Sequence, residues 1–167
     1  MTRNEACDID GGEQKAVAYE TIAIEKTRNV CPFCEDYTKR HTSKPIAVMC
    51  CEGSCLRGEI ARRAANLICH KLAPDKTVRI CLGGAFTKDT GQRMLVRNAP
   101  KVVVAEGCFI ACASRMMRGV LPDLDAEVIF TDKLCDFDSN LFGVDEMPED
   151  RINKCAEEAA NKIAAQL

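Results

Sequence analysis

The chain has 167 residues, of which 23 are lysine or arginine and 25 are aspartate or glutamate. This length suits one ordinary domain with a full hydrophobic core and is short for two. The nearly balanced charge, without a long basic run, argues against a nucleic-acid surface, and no apolar stretch approaches the roughly 20 residues of a membrane span. The polar N-terminus has no export signal, so we expect a soluble, cytoplasmic protein without a membrane or nucleic-acid partner.

Cysteine is unusually frequent, at 12 of the 167 residues. In a secreted mini-protein this count would indicate disulfides. A chain with no export signal and enough length for a core is better explained by metal binding or thiol chemistry. The alternative is that most of the cysteines are small, buried, apolar residues.

Residues 1–44 have a mixed pattern, and we interpret them as a short N-terminal extension. The segment Ala16–Ile24 fits either an amphipathic helix or an edge strand. The motif Cys31-Pro32-Phe33-Cys34 has the spacing of half a zinc site and also that of a redox-active dithiol. A redox dithiol normally follows a strand, and Thr27–Val30 is a poor strand. His41 is near enough to serve as a further zinc ligand, although an exposed polar histidine is the simpler interpretation.

From Pro45 onward, short apolar or β-branched runs alternate with segments of helical spacing. This alternation predicts βαβ crossovers, and therefore an α/β fold with a mainly parallel four-stranded sheet and helices on both faces, as in Rossmann-like and flavodoxin-like proteins. We assign residues 45–167 to this cysteine-rich α/β domain. The predicted strands are Ile46–Cys50, Thr77–Leu82, Lys101–Ala105 and Glu127–Thr131, and the predicted helices are Ser54–Leu72, Asp89–Asn98, Phe109–Val120 and Glu149–Leu167.

Seven cysteines fall at the carboxyl ends of the predicted strands. Because those ends lie along one edge of a parallel sheet, we expect their thiols to converge in one crevice. The helix N-termini at that edge favour thiolates. Cysteines that only fill the core would instead be spread over helix faces. The seven are Cys50, Cys51, Cys55, Cys81, Cys108, Cys112 and Cys135.

Two pairs of these cysteines share a four-residue spacing. If each following helix begins near the first cysteine of its pair, both thiols project from one helix face. Two such pairs together with Cys81 give four or five sulfur ligands, which suits tetrahedral zinc or an iron–sulfur cluster. Zinc is the first choice, because only the number of cysteines argues for iron. The candidate metal ligands are the pairs Cys51 with Cys55 and Cys108 with Cys112, then Cys81 and Cys135.

These motifs resemble those of a known family. The stretches Cys51–Ala61, Cys81–Gly84 and Glu106–Ala113 look like the DGC family, which is named for an Asp-Gly-Cys motif and associated with zinc. The resemblance covers about residues 45–165, with Glu106 at the position of the aspartate. The resemblance implies that the domain binds a metal ion, but it does not imply a particular reaction. The metal-ligand roles that it implies belong to Cys51, Cys81, Cys108 and Cys112.

Two other functions remain open at this point. Cys51 and Arg57 have the Cys-x5-Arg spacing by which low-molecular-weight phosphatases and arsenate reductases hold an oxyanion, and Asp132 is the candidate general acid. Such enzymes usually place Ser or Thr after the arginine, where this chain has Gly58. Alternatively, neighbouring thiols perform redox or sulfur-transfer chemistry through disulfide or persulfide states. The sequence does not separate that chemistry from metal binding.

Overall fold

The structure of the protein is a computed structural model that describes residues 18–26 and 28–167. Its centre is a four-stranded, entirely parallel sheet in the order β2-β1-β3-β4. The predicted α/β class and parallel sheet are therefore confirmed. The strands are β1 (Ile46–Cys50), β2 (Thr77–Arg79), β3 (Lys101–Glu106) and β4 (Glu127–Phe130), so that only β2 is markedly shorter than predicted.

Six α-helices accompany the sheet in the described part of the chain, and none of them is long and apolar enough to cross a membrane. The second of these helices continues directly into a π-helix, Ile68–Leu72. Together the two helices reproduce most of the predicted helix Ser54–Leu72. Residues 18–24 form neither the helix nor the strand considered for Ala16–Ile24, whose first two residues lie outside the described ones. The helices are α1 (Pro32–His41), α2 (Leu56–Leu67), α3 (Leu82–Thr87), α4 (Gly91–Asn98), α5 (Cys112–Val120) and α6 (Glu149–Ala164).

Helices cover both faces of the sheet. All five residues of β1 are buried, because this central strand has a strand on each side and helices above and below. Alternate side chains along the strands face opposite layers. On one face, Val48 and Val103 pack with α2 and α6, and on the other, Met49 and Val104 pack with α3, α4 and α5.

The strand order creates a topological switch point between β1 and β3. The chain leaves β1 toward the face covered by α2, whereas it leaves β3 toward the face covered by α5. In doubly wound sheets, the loops on either side of such a point diverge and leave a crevice in which ligands bind. The loops after β1 and β3 are therefore the two that adjoin this switch point, while those after β2 and β4 lie further out.

The helix α1 packs against α4 through a glycine. The Gly91 N–H donates a hydrogen bond of 3.2 Å to Glu35 Oε1, and Thr38 is buried. A Cβ atom at residue 91 would lie only 2.5 Å from Thr38 Oγ1. The N-terminal helix is thus held on the α/β domain by a close helix–helix approach that a side chain at position 91 would obstruct.

Gly91→Ala is expected to lower the free energy of unfolding by about 1–3 kcal/mol, because the added methyl group must displace Thr38. Denaturant unfolding measures this change, and limited proteolysis reports release of α1. Gly83→Ala is the matched control, since a Cβ atom at Gly83 of α3 meets nothing within 4 Å. Equal stabilities of the two variants would contradict the close packing of α1 on α4.

Candidate cysteine-rich site

The loop after β1 folds back onto the first turn of α2. A Cβ atom at Gly58 would lie 2.5 Å from the carbonyl oxygen of Gly53, so the two backbones are in direct contact. A Cβ atom at Gly53 would in turn contact both Cys51 Sγ, at 3.5 Å, and Cys55 Sγ, at 3.8 Å. The two thiols of this loop therefore border the same small volume.

The loop after β3 reaches the same helix turn. A Cβ atom at Gly107 would lie 2.8 Å from the carbonyl carbon and oxygen of Arg57 and 2.9 Å from the nitrogen of Gly58. Real Cβ atoms do not approach backbone so closely, and only glycine lets the two segments touch. Because Cys108 follows Gly107 directly, this contact brings the first thiol of the β3 loop to the start of α2.

Cys51 is 5% exposed and interacts with groups from both loops beside the switch point. Burial is the main cause that raises the pKa of its thiol, and Cys112 and Glu106 raise it further. Backbone amides from both loops, those of Gly53 and Gly107, partly offset this effect. The β3 loop and the start of α5 therefore lie within electrostatic reach of the thiol that ends β1.

Cys108 interacts with the thiols of the other loop in the same way. Burial raises the pKa of Cys108 most, and Cys55, Asp132 and Cys51 contribute to the increase. Four of the six predicted metal ligands thus lie around the switch point. We call Cys51, Cys55, Cys108 and Cys112 the switch-point cluster.

The helices that carry these pairs begin later than predicted. α2 begins at Leu56, with Cys55 as its N-cap, and α5 begins at Cys112 after Ala111. Ala111 has a left-handed backbone, with φ of 52° and ψ of 50°, which ends the preceding turn. The prediction that each pair projects from one helix face is therefore wrong, because Cys51 and Cys108 precede their helices. Loop geometry, rather than helical spacing, brings the thiols together.

Glu106 fixes the start of α5. This fully buried side chain accepts hydrogen bonds from the backbone N–H groups of Ser114, at 2.7 Å, and Ala113, at 3.3 Å. Its backbone carbonyl accepts a hydrogen bond of 3.0 Å from the Thr131 hydroxyl. A carboxylate at a helix N-terminus satisfies free amides and complements the helix dipole. Glu106, which stands at the position of the motif aspartate, thus holds Cys112 in place relative to β3.

The hydrogen bonds of the Arg57 guanidinium go to the segment before α6. Its Nη1 donates to the carbonyl oxygen of Leu141, at 2.8 Å, and its Nη2 to that of Ser139, at 2.6 Å. The guanidinium also lies over the ring of Phe137. The side chain thereby anchors the segment before α6. This arrangement disfavours the phosphatase or arsenate-reductase interpretation, which needs a free arginine beside the thiol.

Asp132 has a buried oxygen that lacks a hydrogen-bond partner among the described residues. This atom is Oδ1, whereas Oδ2 lies 3.9 Å from Arg57 Nε. Burial raises the pKa of Asp132, and the carboxylate is close enough to raise the pKa of Cys108. Since a buried, unpartnered carboxylate oxygen is unfavourable, a cation next to Cys108 would be stabilised by it.

The other two predicted ligands lie beside different thiols. Cys81 is exposed at the start of α3 and interacts with Cys34. Cys135 is half-buried against Cys155, and burial together with this thiol neighbour raises its pKa to about 12. The six predicted ligands therefore divide among three places in the structure.

The thiols of the switch-point cluster do not yet surround a metal position. Within residues 18–26 and 28–167, no group of three or more His, Cys, Asp or Glu side chains is already arranged to hold a metal ion. The cluster supplies four sulfur donors from two loops that contact the same turn at the start of α2.

Comparison with known proteins places the chain in a family. Searches of the curated proteins and of the solved structures gave no significant match. A family profile described as the DGC domain matches residues 47–159, a segment that contains the whole switch-point cluster and most of the sheet. The match covers most of the chain, and the chain therefore belongs to the DGC domain family.

Proposed function

We propose that this protein binds one zinc ion through the thiolates of the switch-point cluster. The observation that carries the proposal is the pair of backbone contacts at Gly58 and Gly107, which press the loops after β1 and β3 against the same helix turn. Thiolate sulfur is a preferred zinc ligand, and four sulfurs complete a tetrahedral site. A site with four protein ligands has no open position, so the proposed role of the ion is structural.

The surroundings of the cluster support a bound cation. The unpartnered oxygen of Asp132 and the buried carboxylate of Glu106 place negative charge beside Cys108 and Cys51, respectively. This charge disfavours isolated thiolates, and a divalent cation would balance it. The chain belongs to the DGC domain family, and this membership does not identify the metal.

Elemental analysis of anaerobically purified, full-length protein tests the proposal. We expect about one zinc per chain in the wild type, and we expect Cys108→Ser to weaken zinc binding by about 100-fold or more, because it removes a ligand. Cys81→Ser is the control, since Cys81 is exposed beside Cys34. Loss of zinc from Cys81→Ser as well would place Cys81 in the site and overturn the four-ligand set.

A visible spectrum of the same sample distinguishes the alternatives. Broad sulfur-to-iron absorption would replace zinc by an iron–sulfur cluster. Persulfide on a metal-free protein would favour sulfur transfer, and phosphatase activity that Cys51→Ser abolishes would favour the oxyanion site. Each of these three results rejects a structural zinc ion.

We also propose a cytoplasmic location and no nucleic-acid partner. The eleven cysteines in the described part of the chain are all free thiols, which a reducing compartment preserves. The nearly equal numbers of basic and acidic residues, 23 and 25, offer no broad positive surface for a phosphate backbone.

A further inference from the structure

A second pair of thiols lies at the start of α1, outside the segment that the family profile matches. Cys31 is the exposed N-cap of this helix, Pro32 begins the first turn, and Cys34 lies one turn on. Cys31 precedes the helix and Cys34 lies in its first turn, where each thiol is the side-chain hydrogen-bond partner of the other. A disulfide between these two residues would span only the first turn of α1.

The two thiols differ in the way that a dithiol exchange reaction requires. The backbone amide of Cys34 is the largest influence on Cys31 and lowers the pKa of its thiol. Burial is the largest influence on Cys34 and raises the pKa of that thiol. The exposed thiol of Cys31 is therefore the better nucleophile, and the thiol of Cys34 is the one that reacts second.

A groove of about 460 Å³ is lined by Cys34, one turn beyond Cys31. Its volume is in the range of pockets that bind small molecules. Phe33, between the two cysteines, is 81% exposed and offers an apolar surface at the groove. Residues from α1, α2, β2 and α4 and from the loops after β1 and β2 contribute to its walls, among them Phe33, Cys34, Tyr37, Arg79, Cys81 and Gln92.

Both sides of this groove are attached to the α/β domain. On one side, α1 is held to α4 through Glu35 and Gly91. On the other, the backbone N–H of Cys81 donates a hydrogen bond of 3.0 Å to Gln92 Oε1. Cys34 therefore borders a groove whose walls belong to α1 and to the α/β domain.

We infer that Cys31 and Cys34 form a thiol–disulfide exchange centre that reduces small-molecule disulfides bound in this groove. The Cys31 thiolate attacks one sulfur of the substrate, which breaks the substrate S–S bond, forms a mixed disulfide and releases one thiolate. Cys34 then loses its proton to solvent and attacks the sulfur of Cys31, releasing the second thiolate. Two electrons pass from the dithiol to the substrate, and the released thiolates take up protons at neutral pH. An excess of a small-molecule thiol reverses these steps and regenerates the dithiol.

Oxidised glutathione and reduced, zinc-loaded, full-length protein provide the test, with mass spectrometry and release of free thiol as readouts. The wild type is expected to release two thiols per chain and to gain a Cys31–Cys34 bond. Cys34→Ser is expected to release one thiol and to retain glutathione on Cys31. Cys31→Ser is expected to react at about one tenth of the wild-type rate or below, because the more nucleophilic thiol is absent.

Zinc content and melting temperature are measured in the same samples, so that failure of the exchange reaction is distinguished from failure of the proposed metal site. Wild-type rates in Cys31→Ser, or absence of an adduct from Cys34→Ser, would overturn the exchange centre. So would loss of zinc from Cys31→Ser, since it would assign the dithiol to metal binding. Reaction with a protein disulfide but not with oxidised glutathione would overturn the small-molecule substrate.

Discussion

Gly58→Ala is expected to lower the free energy of unfolding by about 3 kcal/mol and to weaken zinc binding by about tenfold or more. Its Cβ atom would lie 2.5 Å from the carbonyl oxygen of Gly53 and 3.0 Å from two further backbone atoms of that residue. Backbone cannot rotate aside as a flexible side chain does, so the loop after β1 must move away from α2. Because Cys51 and Cys55 flank Gly53, this movement also displaces two of the proposed ligands.

Denaturant unfolding and competition with a chromophoric chelator measure the two effects. Gly83→Ala again provides the control, since Gly83 is also helical and its Cβ position is open. It is expected to leave zinc binding unchanged and to stabilise the protein by up to about 1 kcal/mol through helix propensity. A Gly58→Ala protein that binds zinc as tightly as this control would show that contact of the two backbones is not needed for the site.

Glu106→Gln is expected to lower the free energy of unfolding by about 2 kcal/mol. The glutamine oxygen can still accept one N–H of α5, but its NH2 group would face the other N–H, from Ser114 or Ala113, as a second donor. The variant therefore loses a buried hydrogen bond to a charged acceptor, leaves an amide unsatisfied and removes the negative charge at the helix N-terminus.

Glu127→Gln is the matched control for this prediction. Glu127 forms an ion pair of 3.0 Å with Lys101, in which both side chains are substantially exposed. Such pairs contribute little, and we expect a change below about 0.5 kcal/mol. Thermal and denaturant unfolding compare the two variants, and equal losses would indicate that the Glu106 carboxylate has no special role at the start of α5.

The two helices that were not predicted, α1 and α3, depend on contacts between distant parts of the chain. α1 has no clear apolar stripe, and it is positioned by the fit of Thr38 against Gly91. α3 contains Gly83 and Gly84, which have low helix propensity, and it forms where Leu82 and Ala85 are buried against the sheet. In both cases tertiary packing outweighs local preference.

The cysteines illustrate the same limit at the candidate site. Their positions after successive strands were readable from the sequence, because each strand is a short buried run followed by a helical segment. Which thiols meet could not be read in this way, because that depends on strand order. β1 and β3 are neighbours at the switch point, so Cys51 and Cys108 approach each other, whereas Cys81 follows the outer strand β2 and lies next to Cys34.

The sequence by itself determined the parallel α/β fold, since alternation of buried strands and helices is a local pattern that recurs along the chain. It also determined that thiols collect at the carboxyl ends of the strands. Only the tertiary structure decided how those thiols are grouped. The grouping rests on contacts such as that between Gly107 and the backbone of Arg57, which join segments far apart in sequence and leave no periodic signal in either one.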